Sequence, residues 1–394
     1  MDPYTLDRDG LAALLERFGE RAAPSYRVRQ IRRWLARGVD DGAEMTDLPA
    51  TLRAQLVEAF DPSPRVLRES TADAGLTRKV LLECGGPGGE AVESVLMLYP
   101  RSRRATVCIS TQAGCALGCP FCATGQAGFR RQLGLGEILH QVTVMQRLLA
   151  RGVGVTDAPD HVTNVVFMGM GEPLANLEPT IAAVRWLTGR PEEGEGFGLS
   201  ARSVTVSTVG LVPGIRRLQG LGLPITLAVS LHAPNDALRD DLVPVNRQHP
   251  LADLLAACRD YVAATSRRLT FEYVLIEDIN AGGDDARKLA ELIRGGFPDG
   301  PVPHVNLIPM NATPAVPWRA PPTAAQRAFA AVLEGAGIPA TLRRNRGTAI
   351  DAACGQLYAD YALSSGRTLP AAEGAAQRLE AVAATRPAPL GRKP

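Results

Sequence analysis

From about residue 101 onward the chain alternates short apolar runs with helical stretches, and this limits the possible fold more than any other feature. The strand candidates are Ala105–Ile109, Val162–Met168, Ser203–Val206, Ile225–Leu231, Leu269–Leu275, His304–Ile308 and Pro339–Leu342. Helical stretches separate them, such as Glu137–Leu149 with Ile138, Val142, Met145 and Leu149 on one face. A strand, a helix and another strand of the same sheet must run parallel with a right-handed crossover, so the predicted class is α/β with a parallel sheet. Period alone does not separate a barrel from an open sheet. In both, ligands gather at the carboxyl ends of the strands.

The loop after the first of these strands carries three cysteines in the run Cys115-Ala-Leu-Gly-Cys119-Pro-Phe-Cys122. Three thiolates at this spacing can hold three irons of a four-iron cubane. Such clusters are normally tied by four thiolates, so three leave one iron for a non-protein ligand. The amino and carboxylate groups of S-adenosylmethionine can fill that place, and a reduced cluster touching it can break its carbon–sulfur bond. Two other readings compete. A structural zinc site needs four ligands, and Cys108 stands seven residues before Cys115 as a candidate fourth. A ferredoxin-like electron carrier also needs a fourth cysteine at short spacing.

Composition sets the outer bounds. Hydrophobic residues make up 45% and charged residues 21% of 394, with a net charge of +2, as in ordinary globular proteins. A near-neutral total makes any basic surface local. No apolar run approaches the roughly 20 residues of a spanning helix, and Met1-Asp-Pro-Tyr-Thr-Leu6 lacks the basic start and apolar core of a signal peptide. Seven cysteines, three of them clustered, point to a reducing cytoplasm and to metal or redox use. Cys84 and Cys258 fall in apolar patterns and read as structural.

Residues 1–60 read as helices, with Leu11, Leu14, Leu15 and Phe18 on one face and Val28, Ile31, Trp34 and Leu35 on another. Between Arg21 and Arg37 stand Arg27, Arg29, Arg32 and Arg33 with no acid, and Tyr26 and Trp34 interleave. This is either a solvated face or a phosphate-binding surface, since arginine forks onto phosphates. Thr77–Cys84 and Ala91–Tyr99 flank Gly85-Gly-Pro-Gly-Gly89 and read as a hairpin linking this head to the rest. The expected division is a helical domain over 1–62, a β-hairpin linker over 63–100, the main domain over 101–364 and a loose tail over 365–394, partly helical at Ala375–Val382.

Several strand ends turn polar. The second runs into Phe167-Met-Gly-Met-Gly171-Glu172-Pro, where glycines admit a ligand to the backbone and Glu172 offers an acceptor for an amino or ribose group. The third ends in Ser207-Thr-Val-Gly210, the fourth in Ser230-Leu231-His232, and the sixth runs into Asn306-Leu-Ile-Pro-Met-Asn311. Elements ending in small polar groups at one pole suggest one shared ligand site. Near the far end, Ile350-Asp-Ala-Ala-Cys354-Gly-Gln-Leu357 carries a lone cysteine whose ordinary fate is burial.

These pieces together resemble the RlmN and Cfr family of radical S-adenosylmethionine RNA methyltransferases over about residues 5–360. The matching runs are Glu93-Ser-Val, Cys108-Ile-Ser-Thr-Gln-Ala-Gly-Cys115, the cysteine loop on to Gly125, Gly169-Met-Gly-Glu-Pro173, Val206–Gly210, Ser230–Ala233, Asn306–Asn311 and Ile350–Leu357. Thr348-Ala349 replaces an acidic pair frequent in such proteins, and Ala312 stands where proline is common. The resemblance implies a partial (β/α)6-type radical SAM barrel with a small N-terminal helical domain and a β-hairpin linker. It implies one 4Fe-4S cluster on Cys115, Cys119 and Cys122, and two molecules of S-adenosylmethionine per turnover. Gly171, Glu172, Ser207, Ser230, Leu231, His232 and Asn311 would bind the latter. Cys354 would carry a methyl group, Glu93 act as base and Cys108 resolve the covalent adduct through a transient Cys108–Cys354 disulfide. Carbon 2 of an adenosine in the peptidyl-transferase loop of 23S rRNA, and of the adenosine 3′ to the anticodon in tRNAs, would be the target. The electron would come from an external donor such as a flavodoxin system, with no membrane partner. A Cfr-like carbon-8 methyltransferase of 23S rRNA is the alternative; Arg346-Gly347 before Ile350-Asp351 leans toward RlmN.

Overall fold

The computed structural model describes every residue except 21–23, 62, 87–88, 268 and 358–394. The expected C-terminal tail, its helical stretch at Ala375–Val382, Arg21 and the middle of the expected hairpin tip therefore lie outside the described residues.

The chain opens with three helices, α1 (Arg8–Arg17), α2 (Pro24–Ala36) and α3 (Ala50–Ala59). Asp7 caps α1 by accepting the Gly10 N–H at 2.7 Å, satisfying one of the donors a helix start leaves open. Leu11, Leu14 and Leu15 of α1 and Val28, Ile31 and Leu35 of α2 are buried, as their spacing predicts. Strands β1 (Arg65–Ala72), β2 (Thr77–Cys84), β3 (Glu90–Tyr99) and β4 (Arg104–Cys108) follow. Then come β5 (Gln112–Gly114), α4 (Ala123–Gln126), β6 (Phe129–Gln132), α5 (Leu135–Ala150), β7 (Asn164–Phe167) and α6 (Leu177–Thr188). The last part holds β8 (Val204–Thr208), α7 (Val212–Gln219), β9 (Thr226–Ser230), α8 (Asp236–Leu242), α9 (Leu251–Thr265), β10 (Thr270–Leu275), α10 (Gly283–Gly296), β11 (His304–Pro309), α11 (Thr323–Gly335) and β12 (Ala340–Leu342). Every strand candidate of the alternating region is thus a strand, and the α/β class with a parallel sheet and a helical N-terminal region holds.

Two compact units share the chain, each discontinuous in sequence. The first comprises Met1–Thr111, Gln132–Phe167 and Asn176–Val204. Here the expected hairpin is extended by a third strand. β1 pairs antiparallel with β2, β2 with β3 and β3 with β4, while β7 joins β4 in parallel. Fully buried Val80, Leu82, Val92, Leu96 and Leu98 form its sheet core, each such side chain contributing roughly 1.5–3 kcal/mol.

The second unit comprises Gln112–Arg131, Met168–Ala175 and the chain from Thr205. Strands β8 to β12 lie in chain order, and each pairs in parallel with the next. On one face of β10, Phe271 packs against Phe297 and Tyr273 against Phe329. Side chains alternate along a strand, so Thr270, Glu272 and Val274 take the opposite face. An apolar cluster of Ala233, Val274, Ile276 and Met310, residues at or just beyond the carboxyl ends of β9, β10 and β11, also holds Cys119, with Phe121 and Cys122 packed against it. The cysteine loop therefore stands at the carboxyl pole of these parallel strands, where the sequence reading puts it.

Candidate active site

The cysteine loop is shaped by two glycines with positive φ. Gly114 has φ +75°, and a Cβ there would stand 1.9 Å from the Gly128 carbonyl oxygen, so only glycine fits. That close approach lets the Cys115 N–H donate to the same carbonyl at 3.0 Å, fastening the start of the loop to the short β5–β6 ladder. Cys119 is buried, and its carbonyl accepts the Cys122 N–H at 3.1 Å. Burial pushes the Cys115 thiol up to about 12, and the Cys122 and Glu172 charges push in the same direction. Cys119 and Cys122 are raised chiefly by burial too, and the thiols act on one another. Left alone they stay protonated, and a group carrying several metal cations is what would draw them into thiolates together.

Among the described residues no three His, Cys, Asp or Glu side chains converge to hold a single metal ion. A cubane asks for thiolates spread over separate irons, which mutually interacting cysteines on one loop can supply. The donor set fits a cluster.

Glu172 is buried beside this loop, and its two carboxylate oxygens accept the N–H of Leu174 at 3.0 Å and of Val209 at 2.9 Å. Its own N–H donates to Gln112 Oε1 at 2.8 Å. Gly171, at φ +96°, makes this possible, because a Cβ would stand 2.5 Å from the Gln112 Cβ. Burial raises the Glu172 carboxyl to about 7, against the pull of the two backbone donors. An arriving cation would therefore find a carboxylate ready to ionise.

The ends of β8 and β9 are drawn together by a residue the sequence reading passed over. Arg239 on α8 is fully buried, and its guanidinium donates to Val209 O at 2.6 Å, Ser230 O at 2.9 Å, Leu231 O at 3.0 Å and Asn246 Oδ1 at 2.7 Å. Ser207 and Ser230 stay half-exposed while Leu231 and His232 are buried. His232 takes φ +59°. Its Nδ1 accepts the Val274 N–H at 3.0 Å, which leaves the proton on Nε2, and its ring meets Phe121 edge-on at 4.7 Å. Burial holds its basicity down to about 3, so it stays neutral.

Cys354 is exposed rather than buried, against the ordinary fate of a lone thiol. Its segment is stitched to the cysteine loop: the Ala123 N–H donates to Gly355 O at 2.7 Å, and Thr124 Oγ1 to Leu357 O at 3.1 Å. Asn311 donates to Cys354 O at 3.0 Å and accepts from Asn345 at 2.6 Å, so Asn345 braces Asn311 in turn. The charge of Cys354 is felt at Cys122.

The first unit gathers the other two reactive candidates. Glu93 on β3 is wholly buried and pairs with Lys79 on β2 at 2.8 Å. Strand register sets Lys79 opposite Val95 and Val95 opposite Cys108. Glu93 lies two residues before Val95, so Glu93, Lys79 and Cys108 share one sheet face. Ser94 Oγ binds Cys108 O at 2.9 Å and Ser110 Oγ binds Glu93 O at 2.7 Å, locking the two strands in that register.

The helical head needs one correction. Arg32 is not a surface residue: it is buried, donates to Gly194 O and Leu6 O at 2.9 Å each, and its guanidinium lies 5.0 Å from the Trp186 ring centroid. Arg29, Arg33 and Arg37 remain exposed.

Against known proteins, residues 109–293 match the family model of the radical SAM superfamily. Residues 3–61 match that of the ribosomal RNA large subunit methyltransferase N-terminal domain. A protein of Parafrankia named probable dual-specificity RNA methyltransferase RlmN is 48% identical over 90% of this chain and 91% of its own length. The chain belongs to the RlmN family. A similarly named family member from Chloroflexus aurantiacus is 48% identical over 90% of this chain and 92% of its own. The crystal structure of a radical SAM methyltransferase from Sphaerobacter thermophilus superposes with a TM-score of 0.81 at 46% identity, covering 91% of this chain and 99% of the other. Family membership brings the radical SAM fold and, with it, the use of S-adenosylmethionine and a 4Fe-4S cluster in general. No helix among the described residues is long and apolar enough to cross a membrane.

Proposed function

We propose that this enzyme methylates carbon 2 of an adenosine in the peptidyl-transferase loop of 23S rRNA and of the adenosine 3′ to the anticodon in tRNAs. The observation that carries the reading is the exposed Cys354 on a segment hydrogen-bonded directly to the cysteine loop at Ala123 and Thr124. A lone thiol held there is a methyl carrier rather than a core residue.

Carbon 2 of adenine is electron-poor and does not attack a methyl sulfonium, so a thiol carrier and radical chemistry answer a real difficulty. Cys115, Cys119 and Cys122 would hold the cluster, which with S-adenosylmethionine supplies one-electron cleavage to a carbon radical strong enough to take hydrogen from a methyl group. The carboxyl of Glu172 and the polar strand ends at Ser207, Ser230, Leu231, His232 and Asn311 would orient S-adenosylmethionine. Arg239 is a positioning residue, holding two of those ends through backbone carbonyls. The Cys354 thiolate attacks the methyl carbon of one S-adenosylmethionine, so its sulfur takes the methyl group as S-adenosylhomocysteine leaves, an ordinary nucleophilic displacement. A second S-adenosylmethionine serves the radical step, giving two per turnover. Glu93, paired with Lys79, removes the ring proton after the base is attached. Cys108, on the same face as Glu93, attacks the Cys354 sulfur: a disulfide forms as the carbon–sulfur bond to the base breaks, the released carbon takes a proton to become the methyl group, and an external reductant returns the disulfide to two thiols. An external donor such as a flavodoxin system would supply the electron, in the cytoplasm.

The target base must leave its stack to reach such a site. Arg29 and Arg33 on α2 and Arg37 just past its end suit the RNA backbone. Mass analysis of digested 23S rRNA and tRNA from cells with and without the active gene tests the reading. Loss of 2-methyladenosine is expected; loss of 8-methyladenosine instead would transfer the protein to the Cfr-like alternative.

A further inference from the structure

Phe129 is the only large hydrophobic side chain exposed among the described residues of the second unit, 42% accessible where the side chains of the sheet core are near zero. Single exposed apolar residues are common, but the placing of this one is unusual. It follows Gly128, whose carbonyl takes the Cys115 N–H and whose own φ of +75° turns the chain into β6. The tight Gly114–Gly128 approach fixes β5 against β6, so the ring stands on a rigid two-stranded support that also fixes the first cysteine.

The charge near it in sequence has one sign. Arg130 is exposed and Arg131 half-buried. Between Glu93 and Glu137 the chain carries no acid at all, while Arg101, Arg103, Arg104, Arg130 and Arg131 fall in that interval. A fixed, exposed aromatic ring beside arginines is what a splayed RNA strand requires, since unstacked bases find a new partner on Phe, Tyr or Trp. A protein partner would ask for a broader apolar patch than one ring.

We propose that Phe129 is the stacking platform for an unpaired base adjacent to the methylated adenosine, the positive charge of Arg130 and Arg131 drawing the RNA strand toward the ribbon. This rests on the RNA methylation reading above. It adds a second RNA contact at the mouth of the catalytic pole, distinct from the arginines of the helical head, and makes the β5–β6 ribbon a determinant of which loop is accepted.

The test uses the full-length, cluster-loaded enzyme under anaerobic conditions and an RNA stem-loop with iodouridine beside the target adenosine. Irradiation of the wild-type complex should crosslink the iodouridine to the peptide carrying Phe129, as mass spectrometry would show. Base–aromatic stacking is worth about 1–3 kcal/mol, so F129A and F129L should each lower kcat/KM for the stem-loop about 5- to 150-fold. F129W should stay within a few-fold of wild type, and iron content should be the same in all four proteins. An F129L enzyme with wild-type kcat/KM, or a crosslink mapping elsewhere, would overturn the stacking role while wild-type methylation stands. A wild-type enzyme that methylates no RNA would instead sink the functional reading, and this one with it.

Discussion

Replacing Lys79 with Met isolates a buried ion pair of the first unit. Lys79 Nζ stands 2.8 Å from Glu93 Oε1, and both side chains are essentially shut off from water. At an effective dielectric of about 20, that separation corresponds to roughly 6 kcal/mol of attraction. Desolvation offsets part of it, and removing one partner of such a pair costs about 3–5 kcal/mol because a buried carboxylate is left behind. In K79M the Lys79 cation no longer offsets the burial of Glu93, and burial raises its folded pKa above the ~4.3 of the unfolded chain. Between those two values the folded state keeps a proton that the unfolded state has released. The destabilisation is therefore absent below about pH 4, grows as pH rises toward the folded pKa and is constant above it. Denaturation of metal-loaded wild type, K79M and the K79M/E93Q double variant across pH measures this. The double variant should recover much of the missing stability, since no charge remains unpaired. Single-turnover methylation by K79M should need higher pH to ionise Glu93, while K79M/E93Q should not methylate at any pH. Wild-type stability and an unshifted pH profile in K79M would refute the reasoning.

Changing Cys115, Cys119 or Cys122 singly to Ala should remove bound iron and S-adenosylmethionine cleavage together, whereas C354A should keep its iron; iron analysis and product chromatography decide it. R29E/R33E/R37E should flatten the salt dependence of RNA binding, the log–log slope falling by about one for each phosphate no longer neutralised, as filter binding at graded salt would show. R32E should unfold the helical head instead, because it removes the buried donors to Gly194 and Leu6; circular dichroism separates the two outcomes. G171A should weaken S-adenosylmethionine binding at least tenfold by calorimetry, since its Cβ has no room against Gln112 and the strain passes directly to Glu172.

The alternating strands were legible because each is short, apolar and flanked by turn residues; Val162–Met168 in sequence is Asn164–Phe167 in structure. β1 left no such trace. Five of its eight residues are exposed in an unbroken run, as an edge strand allows, so neither an apolar run nor a period of two marks it. The cysteine loop and the Glu172 turn carried their own signals in residue type and spacing, whereas the Cys354 segment, a lone cysteine, stood out only through the family resemblance. Arg239, Lys79 and Asn345 did not, because each acts by donating to groups distant in sequence, and no local pattern distinguishes a buried lysine or arginine from a solvated one. Arg32 shows the same blindness in reverse: it sits in a basic run that reads as surface, yet its guanidinium is enclosed by carbonyls and an indole.

In the proposed reaction Cys354 carries the methyl group and Cys108 releases it. Incubating C108A with S-adenosylmethionine, a reductant and RNA, then separating the products on a denaturing gel, tests this most directly. Addition to adenine needs only Cys354, so the enzyme should accumulate covalently joined to RNA. Nuclease digestion and mass spectrometry should find an adenosine attached through a methylene to the peptide carrying Cys354, and C354A should form no such species. A C108A enzyme that releases methylated RNA at the wild-type rate, with no trapped complex, would contradict the account.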